Sequence, residues 1–227
     1  MNLKRGEELW QKKPLLICIV GIDGSGKTTQ ANMLLESLRE EGVSCRYTWL
    51  RFHHLLSLPI LAYARAMGLS EMKTLDGGGR IGYHYFYRSS FVSNLYPFFL
   101  FADTLIFTTL KIHMPMILFG KTIACDRFIH DTIVDLMIST GDIEIYKSSI
   151  GKLFLKLIPK DARVVMLKVD ENILIERRRE IGQDKTLDKR IELYDRISDE
   201  FGLPVVDTKS SIGEVHEELI KKVGLVL

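Results

Sequence analysis

Hydrophobic positions in this chain gather in five short runs: Leu15 to Val20, Cys45 to Leu50, Thr122 to Cys125, Val164 to Val169 and Pro204 to Val206. Most of the runs are nearly continuous rather than alternating, the pattern of strands buried on both faces of a sheet. Between them the spacing changes to a helical period over Thr28 to Glu41, which Gly42 ends, and over Ile143 to Leu157, Asn172 to Glu180 and Ile212 to Val223. Strands alternating with helices predict an α/β fold, a doubly wound parallel sheet with helices on both faces.

One region departs from this rhythm. From Phe52 to Met116 the pattern predicts no strand, and two apolar helical stretches flank the polar, glycine-rich Asp76 to Ser90. That segment, DGGGRIGYHYFYRSS, reads as a mobile loop, either a solvent-exposed connector or a piece that closes over substrate. The apolar stretch Leu95 to Leu110 approaches a membrane span but is about four residues too short. It also contains Pro97 and Asp103, and a lipid-facing Asp would cost several kcal/mol. A buried or subunit-interface helix is expected instead, consistent with a homodimer and with no membrane span.

Length and composition add little conflict. A chain of 227 residues fits one α/β domain with an insertion or lid, so a single domain over 1–227 is expected. A net charge of +2 spread over both signs gives no concentrated basic face and therefore no sign of a nucleic-acid partner. Cys18, Cys45 and Cys125 share no CxxC spacing and read as core thiols of a reducing, cytoplasmic setting. The segment from Met1 to Pro14 carries Lys4, Arg5, Lys12 and Lys13 without an apolar stretch between them, unlike a secretory signal.

The chemistry concentrates in three places. Gly21-Ile22-Asp23-Gly24-Ser25-Gly26-Lys27-Thr28 fits GxxxxGK[ST] and lies between an apolar strand and a helix, where a phosphate-binding loop must lie. Glycines there let successive N–H groups turn onto a β-phosphate, the helix beginning near Lys27 adds its positive end, and Lys27 reaches β and γ oxygens. Thr28 supplies a hydroxyl for Mg²⁺, and Thr29 follows it in the same turn. Cys125-Asp126-Arg127-Phe128 ends the strand TIAC at the sheet's carboxyl edge, beside that loop. Asp126 could hold a magnesium-bound water or receive the acceptor's proton, and Arg127 could clamp the charge of a transferring phosphate. Finally, Glu176-Arg177-Arg178-Arg179-Glu180 leads into the polar stretch Ile181 to Lys189. On a helix three adjacent arginines cannot face one way, so at most one or two can meet phosphates. Asp170, after RVVMLKV, is either a second acidic strand terminus or the cap of the helix beginning near Asn172.

These elements, in this order across nearly the whole chain, resemble the thymidylate kinase family of nucleoside monophosphate kinases. GIDGSGKTTQ resembles the family's P-loop. CDRF followed by Asp131 and Thr132 resembles its DRY motif, and LKVDENILIERR followed by Asp184, Asp188 and Arg190 resembles its lid and the next helix. The resemblance implies a P-loop kinase core with a five-stranded parallel sheet and a mobile lid at 176–189, ATP and Mg²⁺ as cofactors, dTMP as acceptor, and a dimer formed through helices. It implies ATP contacts from Gly21, Asp23, Gly24, Ser25, Gly26, Lys27, Thr28 and Thr29, with magnesium held by Thr28 and Asp126. Arg51 and Arg127 would grip the acceptor phosphate, Asp23 would meet its sugar hydroxyl, and Arg177, Arg178 or Arg179, the first two foremost, would serve as the lid's catalytic arginine beside Lys27 and Asp126. Because Gly24 and Ser25 are not arginine, the chain is similar to members that draw that arginine from the lid.

The departures fall on the acceptor side, in and after the helical region expected over 52–116. Asp135 and Leu136 stand where the family has Tyr and Gln, Thr104 where it has an arginine, and Leu50-Arg51-Phe52-His53 where it has REPG. Together they remove groups expected to read thymine. A nucleoside monophosphate, dTMP first, is the expected acceptor. Another small acceptor met by His53, His54, His84 or Arg88 is the alternative, and an ATP-binding switch without transfer is a third.

Overall fold

The computed structural model describes residues 13–51, 53–75 and 80–225. Its five-stranded sheet comprises β1 (Leu16–Val20), β2 (Cys45–Trp49), β5 (Thr122–Asp126), β6 (Arg163–Lys168) and β7 (Val205–Asp207), all parallel, in the order β2-β5-β1-β6-β7. Each expected strand is present to within a residue or so at its ends.

Alternate residues of the central strands face opposite layers. Leu16, Cys18, Val20, Ile123 and Cys125 pack against one set of helices, whereas Ile17, Ile19, Ala124, Val165 and Leu167 pack against the other. The first layer includes α3 (Ser90–Thr108), α5 (Ile129–Thr140), α6 (Ser149–Leu155) and α8 (Leu187–Phe201). The second is α1 (Lys27–Glu40) and α9 (Ile212–Lys222). Burial on both faces is why these strands read as continuous apolar runs. The edge strands β2 and β7 are the exceptions, with only Thr48 and Val206 buried.

The region expected to be helical from 52 to 116 contains an antiparallel hairpin, a correction to that expectation. After α2 (Leu58–Ala66), β3 (Ser70–Thr74) pairs with β4 (Arg80–His84), Ser70 opposite His84 and Thr74 opposite Arg80. The polar side chains of Ser-Glu-Met-Lys-Thr disguise β3, since a two-stranded ribbon on the surface needs no apolar run. Likewise Asp76 to Ser90 is not one loop. Residues 80–84 are strand, 86–88 are a 3₁₀ turn, and 76–79 lie outside the described residues.

Two further helices differ from expectation. Helix α3 continues through a π turn at Thr109–His113 into α4 (Met114–Phe119), and Pro97 is accommodated within α3. Asp103 is fully buried, its carboxylate accepting hydrogen bonds from the Leu55, Leu56 and Ser57 N–H groups and the Ser57 hydroxyl at 2.6–3.0 Å. The segment Asn172 to Glu180 is helical only as α7 (Glu171–Arg177), and Arg179–Gln183 forms a 3₁₀ turn. Asp170 proves to be the cap, accepting from the Asn172 N–H at 3.0 Å.

Candidate active site

Topology brings the first two motifs together. Because β1 and β5 are neighbours in parallel, with Ile19 opposite Asp126, the P-loop after β1 and Asp126-Arg127 after β5 leave the same edge of the sheet side by side. Gly21 has φ 139°, and a Cβ there would lie 2.5 Å from the Leu167 carbonyl oxygen, so no other residue fits where the loop crosses β6. A Cβ on Gly24, at φ 88°, would strike Leu174 of α7 and Ile181 of the 3₁₀ turn after it at 2.7 and 2.9 Å. The segment 174–181 and the P-loop therefore pack directly on each other.

Lys27 is buried, its ammonium donating to the Ile22 carbonyl at 2.5 Å and to the Ser25 hydroxyl at 3.4 Å. Burial is the main force lowering its pKa to about 8, against the pull of Asp131 and Asp126. The Thr28 hydroxyl donates to Asp126 Oδ2 at 2.5 Å, and the Tyr47 hydroxyl donates to the same oxygen at 3.1 Å. Asp126 Oδ1 is buried without a hydrogen-bond partner. A hydroxyl beside a carboxylate with an unused oxygen is a hard-oxygen donor set suited to Mg²⁺. Among the described residues no cluster of three His, Cys, Asp or Glu is placed for a metal.

Arg127 is the one described non-glycine residue at positive φ, 68°. This left-handed turn, with the Arg127 N–H donating to the Ile19 carbonyl at 3.1 Å, swings the side chain back toward the P-loop. There it pairs with Asp23 and lies 3.6 Å from Asp131. Arg51, leaving β2, donates to Asp23 at 3.1 Å from its other side. Asp23, Arg51 and Arg127, expected to meet the acceptor, thus converge on one point.

Several residues of the site carried no role in the sequence reading. Asp131 is fully buried and accepts from the Gly21 N–H at 3.4 Å, the Phe128 N–H at 3.0 Å and the Tyr194 hydroxyl at 2.7 Å, tying the P-loop to α5 and α8. Asp135 takes Arg51 in a two-pronged pair at 2.7 and 2.8 Å and Arg190 at 2.9 Å. Although burial opposes ionisation of Asp135, the two guanidiniums hold its carboxyl well below the usual range. Charges alternate along Arg190, Asp135, Arg51, Asp23 and Arg127. Nothing in the sequence singled out Tyr47, whereas Asp131 and Arg190 belonged to motifs already noted.

The arginine cluster does not share a helix. Arg177 ends α7 and donates to the Thr208 carbonyl and hydroxyl at 2.6 and 3.2 Å, after β7. Arg178 leaves the helix at φ −148°, its Cδ beside Gly24 and its guanidinium half-exposed on Glu180 at 2.9 Å. Of the three, Arg178 is the one over the P-loop. Thr29 is exposed on the first turn of α1.

On the acceptor side a cavity of about 510 Å³ opens between the hairpin, α3, α5 and the start of α8. Its wall is rich in rings, from His54, Tyr83, His84, Tyr85, Tyr87 and Tyr96, and Asp135 and Arg190 face it. Burial pushes His84 down to about 4, and the Ser70 hydroxyl bonds its Nδ1 at 2.9 Å. His53 instead meets Lys111 at 2.7 Å, and Arg88 lies over the Tyr85 and Tyr87 rings. A second, narrow recess of about 40 Å³ separates Arg51 and Asp135 from Thr104 and Phe107.

No protein-family model matches the chain. It is 24% identical over 222 residues to a probable thymidylate kinase of Pyrococcus abyssi, covering 90% of this chain and 93% of that protein. The crystal structure of thymidylate kinase from Ehrlichia chaffeensis superposes with a TM-score of 0.54 at 23% identity, covering 92% of this chain and 97% of that one. The fold is that seen in thymidylate kinases.

Proposed function

From the phosphate-binding loop and the similarity to thymidylate kinases, we propose that this chain transfers the γ-phosphoryl group of MgATP to a nucleoside monophosphate, with dTMP as the first acceptor to test. The observation that supports this most is the convergence of two arginines, Arg51 and Arg127, on Asp23 in a P-loop whose Thr28 hydroxyl bonds Asp126 at the end of β5.

In this reading Lys27 follows the β and γ oxygens and stays protonated on them. Thr28 and Asp126 would hold a magnesium ion, which would supply charge neutralisation on the phosphates. Arg127 and Arg51 are the two groups able to hold an acceptor phosphate in line with the γ-phosphorus, and Asp23 sets their spacing. Arg178, carried by the lid segment, would complete the charge clamp as the lid excludes water. Phosphoryl transfer of this kind needs no covalent intermediate, only two phosphates held in line. A homodimer, a cytoplasmic setting and the lid at 176–189 belong to the same proposal.

The test is ADP release with MgATP and a panel of nucleoside monophosphates. Turnover with dTMP well above a Lys27→Ala blank is the expected result. ATP binding without turnover on any nucleotide would refute the nucleotide acceptor. One observation favours a second reading, a different small acceptor: Asp135 occupies the fork of Arg51, where the acceptor phosphate was expected. Turnover restricted to a non-nucleotide acceptor would establish that reading.

A further inference from the structure

The carboxylate of Asp126 is held from two elements. Thr28, in the first turn of α1, donates to its Oδ2 at 2.5 Å, and the Tyr47 hydroxyl of β2 donates to the same oxygen at 3.1 Å. A carboxylate oxygen has two acceptor positions, so these two donors fill Oδ2. Among the described residues nothing donates to Oδ1, which is buried. A buried carboxylate oxygen without a hydrogen bond is costly, and a bound cation removes that cost.

Sheet register explains how a residue of β2 comes to touch this carboxylate. Strands β2 and β5 run in parallel with Tyr47 opposite Ala124, so Asp126 lies two residues further along β5 on the same face of the sheet. Strand spacing and rise put the two Cα atoms about 8 Å apart, a gap that a tyrosine side chain spans and a serine or threonine does not. The Tyr47 ring packs on the apolar layer of Ala31, Leu34 and Ala124 beneath α1. On this edge strand Cys45, Arg46 and Trp49 also remain partly or fully exposed, so water was within reach of a phenol at 47. Its hydroxyl turns to Asp126 instead.

We propose that Tyr47 is a positioning residue for the magnesium ion: its hydroxyl pins Oδ2 of Asp126 and so keeps Oδ1 available to the metal. This rests on the MgATP reading above and adds a residue that neither the P-loop nor the motif after β5 supplies. Thr28 gives its hydrogen to Asp126 and keeps its oxygen lone pairs for an ion. Without the phenol, Thr28 alone holds Oδ2, and the carboxylate can turn about its broad terminal torsion and exchange its two oxygens. Groups that orient a metal-binding side chain in this way typically account for about 10–100-fold in metal affinity.

The experiment is calorimetry of ATP binding to the full chain and to Tyr47→Phe, with no acceptor present, in excess Mg²⁺ and in excess EDTA. Phenylalanine keeps the ring on the α1 layer and removes only the hydroxyl. The expected result is that the tightening of ATP binding by Mg²⁺ shrinks about tenfold in Tyr47→Phe, while ATP affinity in EDTA and the melting temperature stay close to those of the unaltered chain. Equal tightening in both proteins overturns the inference and leaves the proposed function standing. A loss of the same size in EDTA also overturns it, since the phenol would then support the loop and not the metal. Should Mg²⁺ fail to tighten ATP binding in the unaltered chain, the MgATP reading itself falls and takes this inference with it.

Discussion

At the scale of single residues, Arg127 combines a left-handed backbone with a buried guanidinium aimed at Asp23. A strained non-glycine conformation costs about 1–3 kcal/mol and persists where the surroundings enforce it. Here the Ile19 carbonyl and Asp23 do so. Arg127→Ala should lower turnover by about 10²–10³ through lost charge stabilisation, while ATP affinity measured by calorimetry stays close to that of the unchanged chain. A large loss of ATP binding would place Arg127 on the wrong nucleotide. Lys27 gives a second prediction at this scale. With its pKa lowered to about 8, the free protein is partly deprotonated at pH 8.5, whereas phosphates should keep it protonated. ATP binding at that pH should therefore take up protons, visible as a buffer-dependent binding enthalpy that vanishes in Lys27→Met. Asp135→Asn leaves Arg51 and Arg190 facing each other without their shared anion. The cost should be about 2–4 kcal/mol in denaturant unfolding, below the range for a fully dry pair because the site is open to the cavity.

At the scale of elements, α2 and α3 are held by one carboxylate. Asp103 accepts from three consecutive N–H groups at the entry to α2 and from the Ser57 hydroxyl. Those bonds hold its carboxyl ionised below the usual range although burial opposes this. Asp103→Ala strands the buried Ser57 N–H and hydroxyl, while the Leu55 and Leu56 N–H groups lie nearer solvent, and a loss of about 1–3 kcal/mol is expected from desolvation of the Ser57 donors. Asp103→Asn, which keeps one oxygen acceptor, should recover part of it. If thermal unfolding moved by less than a degree in Asp103→Ala, the buried capping role would be wrong. The hairpin is the other element-scale lesson. Its strands carry few apolar residues and one face meets solvent, so no hydrophobic run announced them. By contrast the central strands β1, β5 and β6, packed from both sides, stood out in the pattern along the chain.

For the whole molecule, acid sensitivity follows from buried histidines. His84 and His130 are both lowered to about 4, burial being the chief cause in each. The unfolded chain takes up their protons near pH 6.5, while the folded protein does not until about pH 4. Stability should accordingly be unaffected above pH 7 and fall as pH drops from about 6.5 toward 4. His130→Phe, in the middle of the core beside Phe201, should flatten that dependence in chemical unfolding curves between pH 7 and 4.5. An unchanged slope would show that His130 is not a source of the acid loss.

The chain's own order of residues was enough to determine the α/β class, the five parallel strands and the phosphate loop, because each rests on a local rule. Continuous apolar runs need a two-faced sheet, and GxxxxGK[ST] between strand and helix needs little beyond its neighbours. The placement of Asp126 and Arg127 also followed, since a parallel sheet sends its strand ends to one edge. What only the tertiary structure decided was pairing between distant side chains. Arg51 and Asp135 lie 84 positions apart yet form one ion pair, Tyr194 reaches Asp131 across 63, and Arg177 turns to Thr208 while Arg178 remains over Gly24. Charge and hydrogen bonding carry no periodicity along a chain. Their partners are chosen by the packing of α5, α8 and the lid segment around the P-loop, and that packing exists only once the core has formed.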